Sequence, residues 1–67
     1  MHAASLKNSD RLQRVASLLK SGRPYTTMEI IRKAQVCAVS AIVSELRSNG
    51  MDIVCNRLGN VWMYRRQ

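Results

Sequence analysis

The hydrophobic period of this chain changes at Gly50, and that change limits the folds open to it more than any other feature. Upstream, apolar residues recur at helical spacing. Leu12, Val15, Ala16 and Leu19 stand at i, i+3, i+4 and i+7, and Val36, Val39, Ile42, Val43 and Leu46 form a second one-sided stripe. Downstream, Met51, Ile53 and Cys55 alternate with Asp52, Val54 and Asn56, the period of a half-buried strand. In 67 residues the two patterns predict one small α+β domain, helices first and strands last, with an economical core.

Start and stop signals divide the helical part into three. Ser9 offers an N-cap with Asp10 in the first turn, and Ser21-Gly22-Arg23-Pro24 stops the run, so Ser9 to Lys20 reads as a helix. Arg11, Arg14 and Lys20 lie off its apolar stripe. Thr26 with Glu29 three residues on makes a capping box, and Tyr25 and Ile30 are spaced for a hydrophobic staple. A second helix therefore spans Thr27 to Ala34. After the turn Ala34-Gln35-Val36, a third runs from Cys37 to Ser48 and ends at Asn49-Gly50, where Gly can take the left-handed cap conformation. A short capped helix, a tight turn and a longer amphipathic helix form a helix-turn-helix motif.

Arg57-Leu58-Gly59-Asn60 is a turn cluster, with Gly-Asn as the hairpin signal, and Val61-Trp62-Met63-Tyr64 reads as the return strand. The predicted order is three helices followed by a two-stranded hairpin over residues 9–66, preceded by a patternless arm at residues 1–8. A lone hairpin is marginally stable, so this one must lie against the helices. Leu12, Val15, Leu19, Ile30, Ile31, Val39, Ile42, Val43, Leu46, Ile53 and Tyr64 are expected to share one core.

Eleven Lys and Arg against four Asp and Glu give a net charge of +7, which points to a polyanionic partner, nucleic acid first and an acidic membrane or protein surface second. Cys37 and Cys55 make neither a disulfide framework nor a metal-ligand spacing, and His2 is the only histidine. Reduced, semi-buried thiols are the expectation, with no metal and no cofactor. No apolar run is long enough for a membrane span, and the start lacks the apolar stretch of a signal peptide. A cytoplasmic protein without a membrane partner follows. Nothing supplies a nucleophile with its base or a carboxylate pair, so an enzyme is not expected.

The TTMEI opening, the VSAIVSELRSNG helix and the DIVCNRLGNVWMYR hairpin resemble a winged helix-turn-helix domain over roughly residues 9–66. They are especially similar to short helix-turn-helix proteins of phages and prophages, in which a Leu-Arg-x-x-Gly exit also leads into Asp-Ile-Val. The resemblance implies a second motif helix (37–48) in the major groove and a wing (51–66) on the backbone or minor groove. It implies a small protein that binds double-stranded DNA, as a transcriptional regulator or a recombination architectural factor.

On that docking, the outward face of the third helix is Cys37, Ala38, Ser40, Ala41, Ser44, Arg47 and Ser48, with Gln35 in the turn before it. Ser and Arg can reach base edges, and Ala can touch a thymine methyl. Arg32 and Lys33 near the turn, Arg57 and Asn60 at the wing tip, and Arg65 and Arg66 after it complete the expected DNA contacts. Arg14 is expected to face solvent or a partner subunit, and Glu45 and Asp52 to be solvated. Trp62 and Tyr64 suit base stacking or core filling. The alternative is a winged adaptor or inhibitor whose small-residue face packs on a host protein. A homodimer would use the first helix or the wing.

Overall fold

The computed structural model describes residues 9–67; the arm expected at residues 1–8 lies outside them. The elements are α1 (Asp10–Leu19), β1 (Tyr25–Thr26), α2 (Thr27–Ala34), α3 (Val39–Ser48), β2 (Ile53–Leu58) and β3 (Val61–Arg66). Three helices pack on a three-stranded antiparallel sheet of order β1-β3-β2, an α+β fold.

The expected two-stranded sheet is corrected by β1, which pairs Tyr25 with Tyr64 and Thr26 with Met63. Two residues are too few to show a period, but they satisfy backbone groups on the free edge of β3. Thr26 closes this strand and also caps α2. Its hydroxyl accepts from the Glu29 N–H at 3.1 Å, while its own N–H donates to the Glu29 carboxylate at 2.9 Å.

Helix α3 begins at Val39 rather than Cys37. Ala38 offers no side chain to cap it, and the Val39 N–H turns back onto the Cys37 carbonyl at 3.0 Å. Its exit is a Schellman closure on Gly50, at φ +93°. The Gly50 N–H donates to the Arg47 carbonyl and the Met51 N–H to the Leu46 carbonyl. Met51, expected in the strand, is thereby buried under the helix end. The α2–α3 turn needs a left-handed residue too, and Gln35 supplies it at φ 56°.

Ten of the eleven expected core residues are buried. Ile31 is the correction: it is half-buried and packs at the margin. Tyr25, Ala34, Val36 and Met51 join the core instead. In the hairpin, a two-residue turn at Gly59-Asn60 joins Leu58 to Val61, so Arg57 and Leu58 belong to β2 rather than to the turn. Gly59 has φ +60° and Asn60 does not have positive φ, the pattern of a type II′ turn.

Candidate nucleic-acid interface

The stripe of Val39, Ile42, Val43 and Leu46 faces the core. Helical geometry then turns Ser40, Ala41, Ser44, Arg47 and Ser48 outward, while Cys37 and Ala38 lie in the turn before the helix; all seven are exposed. Cys37 is therefore an exposed thiol rather than a semi-buried one, while Cys55 is half-buried; both are free.

The outward face meets two concavities. On one side, Gln35, Ala38 and Ala41 line a hollow of about 360 Å³ with Arg11 and Arg14 of α1. On the other, Ser40 and Arg47 face Cys55, Trp62 and Tyr64 of the hairpin across a groove of about 410 Å³, with Thr27 at its end. Thr27 and Trp62 also line the adjoining groove of about 490 Å³, which Met28, Asn60 and Val61 complete. The two hairpin-side grooves thus share one aromatic wall. Tyr64 is buried and Trp62 is 46% exposed, so one aromatic fills the core and the other stays at the surface.

The expected site residues do not converge on a single patch. Arg57 and Asn60 sit at the hairpin tip; Arg65 and Arg66 pair with Val54 and Ile53 at its base. Six residue steps along the strand take Asn60 to Arg66, about 20 Å at roughly 3.3 Å per residue. Arg32 and Lys33 are exposed on the last turn of α2, where cations also complement the helix dipole. Ser44 is exposed, and its carbonyl accepts from the Ser48 hydroxyl at 3.2 Å.

Several cations are already engaged. Arg47 donates from Nε and Nη2 to the Ile53 carbonyl, which leaves three of its five N–H groups. Arg57 donates from Nε to the Gly59 carbonyl at 2.7 Å, and its guanidinium lies 5.7 Å from the centre of the Trp62 ring, its cross-strand partner. Arg14 does not simply face solvent: its Nε–H donates to the Ala34 carbonyl at 2.8 Å, which ties α1 to the end of α2.

The acids lie elsewhere. Asp10 pairs with Arg14 at 3.2 Å, and Glu45, rather than being solvated, pairs with Arg11 at 3.4 Å. Glu29 is held in the capping box, where the Thr26 N–H keeps its carboxyl below the usual carboxylate range, with Arg23 and Lys33 as lesser causes. Among the described residues, no ion pair engages Arg32, Lys33, Arg47, Arg57, Arg65 or Arg66. Thr27 and Met28 are wall residues that the sequence reading did not single out, whereas Trp62, expected to stack or to fill the core, lines both grooves. The pairing of Trp62 with Arg57 follows once the turn is two residues long.

Among the described residues, no three His, Cys, Asp or Glu side chains gather as a metal-holding group, and no helix is long and apolar enough to cross a membrane. The chain matches no protein-family description, no curated protein and no solved structure.

Proposed function

We infer that this domain binds double-stranded DNA as a small winged helix-turn-helix protein. Helix α3 is offered to the major groove and the β2–β3 hairpin to the adjacent backbone or minor groove. The observation that carries the reading is the groove between Ser40 and Arg47 on one wall and Trp62 on the other, with no ion pair on Arg47 among the described residues. A duplex presents its sugar–phosphate ridge between the two grooves, and such a cleft can straddle it. Phosphate contacts supply most of the affinity in this arrangement, and the Ser and Ala face of α3 supplies modest base preference. A regulator or a recombination architectural factor is the role that fits. The reading is one of binding, not catalysis.

A host-protein adaptor is the second reading, favoured by exposed Met28, Val61 and Trp62 around one groove. Fluorescence anisotropy with mixed-sequence duplexes separates the two. About three to five phosphate contacts would give a log–log salt slope of roughly −2.7 to −4.5 between roughly 50 and 200 mM salt. A flat salt response, or no duplex binding at the low end, overturns the DNA reading.

A further inference from the structure

We propose that the tip of the hairpin is an apolar wedge that enters the minor groove of duplex DNA, parts a base step and bends the duplex. The proposal rests on the duplex-binding reading and adds the mode of contact.

The tip stands clear of the core. Burial falls along β2 from Ile53 outward, so that Asn56, Arg57 and Leu58 are exposed, as are Val61 and Trp62 where β3 returns. Strand ends in open solvent ordinarily carry polar or charged side chains. Here Leu58 is 68% exposed and its direct cross-strand partner Val61 is 47% exposed, side by side on one face of the ribbon. On the opposite face, Arg57 stands over Trp62. Among the described residues, Gly59 at the apex has no neighbour within 4 Å of where a Cβ would stand, so the apex is open.

The charge beside this apolar pair identifies the partner. No Asp or Glu follows Asp52, so the hairpin from Ile53 onward carries only cations. Arg57 is held at the tip by the Gly59 carbonyl and the Trp62 ring, rather than left to swing. A fixed guanidinium on one face of the tip and bare aliphatic groups on the other suit the negative potential of a minor groove whose floor is base edges. A second copy of this chain fits poorly, because each brings a net +7.

Width makes the contact a wedge. Paired strands lie about 4.8 Å apart before their side chains are added, and an undisturbed minor groove is only about 6 Å wide. Leu58 and Val61 therefore reach the base steps only if the groove opens, and opening it by apolar insertion kinks the duplex away from the protein.

The test uses a short duplex labelled at both ends for energy transfer, with binding followed in parallel by anisotropy. The wild-type chain should raise the transfer efficiency on binding. A Leu58→Thr, Val61→Thr double variant keeps strand propensity at two exposed positions, and its circular dichroism melt checks the fold. It should bind within about tenfold of wild type, because the phosphate contacts remain, yet leave the transfer efficiency at the free-duplex value. Wild-type binding without a change in transfer, or undiminished bending by the double variant, overturns the wedge and leaves the duplex-binding reading standing. Failure of the wild type to bind duplex removes that reading and the wedge with it. Concentration-dependent dimerisation lost in the double variant would make the tip a self-contact, which also overturns the proposal.

Discussion

The Arg47 guanidinium donates two hydrogen bonds to the Ile53 carbonyl oxygen, at 3.2 and 2.7 Å, and so clamps the last turn of α3 to the first residue of β2. The clamp joins the helix to the strand whose Cys55 lines the groove between them. Arg47→Ala should cost about 1 kcal/mol, a drop of roughly 4–8 °C in melting temperature for a domain this small. Arg47→Lys should recover only part, since an ammonium lacks the two-pronged geometry. An unchanged melt with lost DNA affinity would instead make Arg47 a direct DNA contact and nothing more.

The core separates Leu46 from Ile31. Leu46 is fully buried at the Schellman closure, whereas Ile31 is half-buried. Leu46→Ala should cost ~2–5 kcal/mol, enough to leave much of the chain unfolded at room temperature. Ile31→Ala should cost clearly less. Equal urea midpoints for the two variants would contradict the difference in burial.

The capping box carries a pH dependence of defined sign. The Glu29 carboxyl is held below its ordinary value, first by the Thr26 N–H, so its contribution is present above the ordinary glutamate range and is lost as pH falls through the lowered folded value. Melting temperature measured from pH 6 down to pH 3 should fall less steeply in Glu29→Gln than in wild type. Thr26→Ala should cost about 1 kcal/mol at neutral pH. Parallel acid profiles for wild type and Glu29→Gln would remove the carboxylate from the account.

Arg57 and Arg14 are both basic, but only Arg57 lies on the proposed interface. Arg57→Ala should reduce the magnitude of the salt slope of duplex binding by about 0.9, the loss of one phosphate contact. Arg14→Ala should lower stability through the lost bond to the Ala34 carbonyl and leave that slope unchanged. The reverse result, a silent Arg57 and a changed slope for Arg14, would move the contact surface to the α1 side.

Local chemistry was legible where signals were local. The capping box, the exposed row on α3, the exit at Gly50 and the hairpin are each written within a few neighbouring residues. What escaped was written between distant ones. The β1–β3 pairing joins Tyr25 to Tyr64, and Arg14 reaches an Ala34 carbonyl twenty positions on. No hydrophobic period reports a side chain that bonds to a remote backbone oxygen. The same blindness hid the duty of Arg47: its place on the helix edge marked it as outward, while its partner is a carbonyl of the next element. At Ile31, the stripe of a two-turn helix was too short to fix which of two adjacent isoleucines would point fully inward.

Thr26 belongs at once to the ladder of β3 and to the first turn of α2, and this has a mechanical meaning. The hairpin is a lever rooted at one end. Its base is joined through β1 and this one threonine to the helices, while its far half, past Asn56, pairs with no third strand among the described residues. A load applied at Gly59 would flex the outer half first, and any torque that survived to Met63 would be delivered to the start of α2 rather than dissipated in a loop.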